Sequence, residues 1–307
     1  MVLSVITALL SIVLATGQHT TSLKADPPIV CSACDEWNAP RTPFRLFGNT
    51  YFVGTGGLSS VLITSPAGHV LIDGALPQSA PLIDANIRAL GFRTQDVRLI
   101  LNSHAHYDHA GGIAALQRAS GATVASSAAG ARAFEAGEPM PDDPQYGLGR
   151  AINAFPPVAR VRVVADGEVL RVGEIAVTVH HTPGHTPGGT TTSWQACEGE
   201  RCLHFVYADS LTAVSSDDFR FSDDTSIPGR VEAFRTSIDR VAALPCDVVI
   251  AAHPGFTDID GKLARRATGI TPDPFIDRDG CRAYAAAARA RLETRLADER
   301  RSRRSLR

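Results

Sequence analysis

The chain lacks the charge surplus that a polyanionic partner demands. Its 30 Lys and Arg against 32 Asp and Glu leave a net charge of −2. No basic field of the kind nucleic acid requires is present, and no nucleic-acid partner is expected. The one concentration of basic residues, Arg300, Arg301, Arg303, Arg304 and Arg307, reads as a frayed, solvated end. The apolar run over residues 1–15 is too short to span a bilayer and is followed by small and polar residues, the pattern of a secretory signal cut near residue 17. It lacks a Lys or Arg ahead of its apolar core, so only the N-terminal amine marks the inner end. No second Cys-x-x-Cys joins Cys31 and Cys34, which excludes a structural zinc site made of thiolates. No repeat is visible at the level of sequence.

Six cysteines are present, and in an exported chain pairing is the default. Cys197 and Cys202 bracket a four-residue turn between two strand-like runs, a hairpin stapled across its end. Cys246 closes a helix-like segment and Cys281 opens the last one, so a bond between them ties the C-terminal helix to the body. Cys31 and Cys34 are left as a local disulfide or two free thiols.

Three of the ten histidines and one carboxylate fall within six residues, in Asn102-Ser103-His104-Ala105-His106-Tyr107-Asp108-His109-Ala110-Gly111-Gly112. The stretch follows the apolar run 97–101 and precedes a helix-like segment, which places it on a strand-to-helix loop. His104 and His106 alternate and face one way, while Asp108 and His109 lie on the following turn and face a second point. Neutral imidazole and carboxylate are what zinc accepts, and two metals about 3.5–4 Å apart are a common hydrolytic arrangement. His185, in a Thr-Pro-Gly-His turn, and His253, at the end of the apolar strand 248–252, stand at strand ends and supply a third ligand to each metal.

The remaining pattern predicts the frame. Residues 18–43 form an irregular N-terminal arm, and strands at 44–47, 50–53, 60–63 and 69–72 make an antiparallel meander. A helix over 79–90 and a buried strand over 97–101 follow. Strands at 161–164, 168–172 and 175–181, the stapled hairpin, a helix over 231–244 and the strand 248–252 then repeat this order. The expected fold is α+β, a four-layer αβ/βα sandwich of two similar halves with the active site at the sheet edge. One domain spans 44–298 and an Arg-rich tail 299–307. Residues 137–157, rich in Pro and Gly, are expected to be a substrate lid.

His104-Ala105-His106-Tyr107-Asp108-His109 resembles the His-x-His-x-Asp-His signature of the metallo-β-lactamase superfamily, with further matches at His185 and His253. The context Asn102-Ser103-His104-Ala105-His106, Tyr207-Ala208-Asp209-Ser210-Leu211 and the leader make the chain similar to class B, subclass 3 enzymes over about residues 40–295. The resemblance implies two Zn²⁺, the first on His104, His106 and His185 and the second on Asp108, His109 and His253. It implies a hydroxide between the metals that attacks the β-lactam amide, with Asp108 orienting it and relaying its proton, and antibiotic resistance as the outcome. Ser210 stands where other subclasses place a zinc-binding Cys, and Ser210 and Thr212 carry over as substrate contacts. The family's phenolic donor near Thr212 has no counterpart in Ser215-Ser216-Asp217-Asp218-Phe219. A periplasmic monomer acting on a small β-lactam, with no membrane partner once its leader is removed, is expected. Asp73 is a candidate acceptor for a ligand histidine or a local cap, and Phe155 and Phe256 are candidate groove residues. The competing expectation is a glyoxalase-type thioesterase or lactonase of the same fold, in which Asp209 would bridge the metals; a metal-storing protein without catalysis is the other.

Overall fold

The computed structural model describes residues 23–224 and 227–305, so the expected leader lies outside the described residues. Two sheets face each other. The first runs β1 (Phe44–Phe47), β2 (Thr50–Phe52), β3 (Val61–Ile63), β4 (His69–Ile72), β5 (Val97–Leu101), β6 (Thr123–Ser126) and β7 (Arg162–Val163) in spatial order. The second is ordered β12-β11-β10-β9-β8, from β8 (Val169–Val172), β9 (Ile175–His181), β10 (Thr190–Glu198), β11 (Arg201–Ala208) and β12 (Val248–Ala251). Helices α1 (Cys34–Trp37), α2 (Ala80–Ala89), α3 (Tyr107–Ala110), α4 (Ile113–Ser120), α5 (Ala128–Ala136) and α6 (Arg150–Asn153) belong to the first half. Helices α7 (Arg230–Ala243), α8 (Ile259–Ala267) and α9 (Gly280–Ser305) belong to the second.

Strand periodicity sorts the side chains into four layers. Along β3, β4 and β5, Val61, Ile63, Val70, Ile72, Leu99 and Leu101 point inward to meet Val177, Val179, Trp194, Phe205 and Tyr207 of the opposing sheet. Their neighbours Leu62, Leu71 and Ile100 point outward and pack under Ile83, Ile87, Ile113 and Leu116 of α2 and α4. Val206, Ala208, Val249 and Ala251 face Phe234, Ile238, Tyr284 and Leu292 of α7 and α9 in the same way. A period of two that buries both faces of a strand gives helix, sheet, sheet, helix.

Several expectations are corrected. The strand expected at 161–164 is β7, and it pairs parallel with β6 in the first sheet, so the second sheet begins only at β8. Residues 137–157 therefore connect two parts of the first half, and they carry a 3₁₀ turn and α6. The N-terminal arm holds α1, closed by a Cys31–Cys34 disulfide. α9 passes 298 without a break because Glu299, buried in the body, accepts the amides of Phe221 and Ser222 and pairs with Arg295. The Cys197–Cys202 and Cys246–Cys281 bonds are present. No helix among the described residues is long and apolar enough to cross a membrane.

Candidate metal centre

The loop after β5 is shaped by a carboxylate that the parallel pairing of β4 and β5 sets beside it. Asp73, just past β4 and in a left-handed conformation at φ 61°, accepts the Ser103 amide (2.7 Å) and hydroxyl (2.7 Å), the Asn102 side-chain amide (2.9 Å) and the Tyr207 hydroxyl (2.8 Å). Its Oδ2 also lies 3.5 Å from Nδ1 of His109. Asp73 thus clamps the loop and lies beside His109. Gly111 and Gly112 let α3 turn tightly, since a Cβ on either would stand 2.3 Å from the Tyr107 carbonyl or 2.2 Å from that of Gly74.

His104, His106, Asp108 and His109 leave this loop, His185 comes from the turn between β9 and β10, and His253 follows β12. All converge. Ring centroids separate His104 from His106, His109 and His185 by 4.9, 4.4 and 4.6 Å, and His109 from His253 by 4.8 Å. One potential ligand atom from each of His104, His106 and His185 lies within 4.8 Å of the others, and the same holds for His104, Asp108 and His109. His253 joins the second group through Nε2, which is 3.4 Å from Asp108 Oδ2.

Each imidazole is held from behind. Nδ1 of His104 faces Asp209 Oδ1 at 2.8 Å, Nδ1 of His185 donates to the Thr212 carbonyl at 2.8 Å, and Nδ1 of His253 lies 3.3 Å from the Gly57 carbonyl. His106 is turned the other way, with Nε2 3.1 and 3.2 Å from the two oxygens of Asp143. Such contacts select a tautomer and aim the opposite nitrogen at the centre; on His106 that nitrogen, Nδ1, also lies 3.4 Å from the Gln145 side-chain amide.

The residues fit a metal on their own geometry. Nε2 of His104 is buried with no hydrogen-bond partner. Nε2 of His109 and of His253 face each other at 3.2 Å, with Asp108 Oδ2 3.2 Å from the first. One proton serves only one of those contacts, whereas a cation among the three atoms serves all. In the metal-free chain burial opposes a charge on His109, yet the Asp108 and Asp73 carboxylates outweigh it and lift the imidazole to about 10. Burial and the neighbouring His106 push His185 down to about 3. Burial and the other imidazoles hold His104 well below its ordinary value. Imidazole and carboxylate without a thiol are donors suited to zinc.

A cleft of about 780 Å³ opens over the centre, lined by Trp37, Tyr107, Leu148, Ser210, Thr212, Val214 and Phe256 among others. Ser210 is buried and its hydroxyl has no partner, while the Thr212 hydroxyl also lies 3.1 Å from Nδ1 of His185. Phe256 lines the cleft as expected; Phe155 does not, because it is buried against Phe134. Sequence reasoning missed Asp143 and Gln145, which reach His106 from the long 137–157 segment. It also missed Trp37, whose ring packs 5.3 Å from His253. Nothing in their spacing marks them; only the Pro-Asp-Asp-Pro composition around Asp143 hints at a shaped turn.

The family profile of the metallo-β-lactamase superfamily matches residues 53–197. Among solved structures, the chain is similar to the Rm3 metallo-β-lactamase at 54% identity and a TM-score of 0.85, covering 88% of this chain and 99% of that one. It is similar to MEM-A1, a subclass B3 metallo-β-lactamase from a soil metagenome library, at 50% identity and a TM-score of 0.83, covering 87% and 99%. A more distant curated relative is the hydroxyacylglutathione hydrolase of Anaeromyxobacter dehalogenans, 29% identical over 244 residues, 79% of this chain and 69% of that protein.

Proposed function

The chain belongs to the metallo-β-lactamase superfamily, and on that premise we propose that it is a subclass B3 enzyme, a hydrolase with two zinc ions that opens the amide bond of β-lactam antibiotics. One observation carries the choice of substrate over a thioester or lactone. Asp209, which would bridge the metals in a glyoxalase-type enzyme, has Oδ1 on Nδ1 of His104 and on the Ser210 amide, both at 2.8 Å. A Cβ on Gly189 would stand 2.2 Å from its Oδ2. Oδ1 is thus committed behind the His104 ring, and Oδ2 is buried beside Gly189.

Zinc bound here supplies Lewis acidity and brings the pKa of coordinated water toward neutrality. His104, His106 and His185 would hold the first ion, and Asp108, His109 and His253 the second. The Asp108 carboxylate lines the cleft, where it would orient the attacking water and accept its proton; no side-chain nucleophile is needed and no acyl-enzyme forms. The free Ser210 hydroxyl and that of Thr212 face the same cleft and bind the carboxylate of the substrate. Apolar walls at Trp37, Leu148 and Phe256 offer the rest of the substrate a surface to pack against. Export to the periplasm, where three disulfides form readily, action as a monomer and antibiotic resistance complete the proposal.

Turnover of nitrocefin, a carbapenem, a thioester and a homoserine lactone measured side by side tests it. The β-lactams are expected to be hydrolysed orders of magnitude faster, with activity abolished by EDTA, restored by zinc, and two zinc ions per chain by elemental analysis. Preference for the thioester or lactone would overturn it.

A further inference from the structure

Beyond the metal ligands and substrate contacts, one buried phenol holds the backbone on both sides of Ser210. Tyr284 lies near the start of α9, three residues after Cys281, whose disulfide to Cys246 ties the helix to the segment before β12. With Cys281, Ala285, Ala288 and Leu292 it packs on Val206, Ala208 and Val249 of the second sheet, so the position of its ring is set by the core. Its hydroxyl donates to the Asp209 carbonyl and accepts the Leu211 amide at 3.1 Å.

Those two bonds fall where the ladder stops. β11 ends at Ala208; the Asp209 amide still reaches the Thr191 hydroxyl of β10 at 3.2 Å, but the strand ladder goes no further. The Ser210 amide is taken by Asp209 Oδ1. The Ser210 carbonyl accepts the Thr212 amide at 2.9 Å, and Tyr284 takes the Asp209 carbonyl and the Leu211 amide, since a single hydroxyl that donates once and accepts once can serve both. The Ser210 hydroxyl is left without a partner, and Ser210 lies in the cleft wall.

We propose that Tyr284 is a positioning residue for the reaction: by pinning Asp209 and Leu211 it fixes the direction of the Ser210 hydroxyl toward the substrate and the carboxylate that orients His104. It touches neither substrate nor metal and acts through residues 209–211. The inference rests on Ser210 being a substrate contact, as set out above.

Tyr284→Phe removes the hydroxyl and keeps the ring. Its KM for a carbapenem is expected to rise about tenfold, in line with the loss of an outer support of a site, while kcat changes less. In a double-mutant cycle with Ser210→Ala the two effects on KM should be strongly non-additive, since both act on one contact. If Ser210→Ala raises KM but Tyr284→Phe leaves it unchanged, or the two effects simply add, the positioning role is overturned. If Ser210→Ala leaves KM unchanged in an enzyme that hydrolyses carbapenems, the reading of Ser210 fails and takes this inference with it. Hydrogen exchange of the unmodified protein gives a second measure that does not depend on the variant folding. The Leu211 amide should be protected like those of β11, and exchange at the rate of an open loop would overturn the proposal.

Discussion

The carboxylate of Asp143 lies 3.1 Å from Nε2 of His106, 37 residues away in sequence, and it reaches there from a segment that has little regular structure. Its other bonds fix it: Oδ1 accepts the Gln145 amide at 2.8 Å, and the Asn153 side chain ties down the Gln145 carbonyl at 2.7 Å. Burial raises Asp143, but the His106 charge and hydrogen bond prevail and keep it below the usual carboxylate range. The long segment is therefore part of the metal centre's support.

Replacing Asp143 by Ala frees the His106 ring to turn or change tautomer. If the centre takes two zinc ions as proposed, affinity for one of them should fall about 10–100-fold, while the other binds as before. Competition with a chromophoric chelator resolves the two steps. Equal loss at both steps, or none, would count against the assignment.

Gly184, next to His185, has no room for a side chain, because a Cβ would meet the Phe234 ring at 2.3 Å. Gly184→Ala must push the turn off α7 and carry His185 with it. Overpacking of this kind costs about 1–3 kcal/mol, and zinc binding should weaken along with stability. Thermal melts of metal-free and zinc-loaded protein, compared for both chains, check the two effects separately.

The two longer-range staples should differ in worth. Cys246–Cys281 spans 35 residues and Cys197–Cys202 only 5, so loop-closure entropy assigns about 4 kcal/mol to the first and about 2 kcal/mol to the second. Denaturant unfolding of Cys246→Ser/Cys281→Ser and Cys197→Ser/Cys202→Ser double variants should rank them in that order.

Glu299 links acid stability to the end of α9. Burial raises its pKa, yet Arg295 and the amides of Ser222 and Phe221 favour the carboxylate more, and the group is held below its ordinary 4.5. A depressed pKa contributes stability that is full above 4.5 and is lost as pH falls through the lower folded value. Glu299→Gln should therefore be less stable than the parent at pH 7, by about 1 kcal/mol, with the gap closing below pH 4.5. Urea midpoints at pH 7, 4.5 and 3.5 measure it; a gap that is constant with pH would refute the linkage.

Local pattern was enough for the parts of this protein that depend on neighbours in sequence. The short apolar runs Val61-Leu62-Ile63 and Val70-Leu71-Ile72 between turn residues mark strands, and His104-Ala105-His106-Tyr107-Asp108-His109 marks a metal loop, because donor type and spacing are themselves the chemistry. His185 and His253 could be named because Pro and Gly fix their turns at strand ends. Tertiary structure alone decided what stands behind those ligands. Asp143, Asp209, the Thr212 carbonyl and Tyr284 meet their partners across 37, 105, 27 and 75 residues, and a hydrogen bond at such separation leaves no periodicity to read. The sheet that took residues 162–163, and the helix that ran on through Glu299, were likewise settled by which edge and which buried amides lay within reach once the two halves had packed.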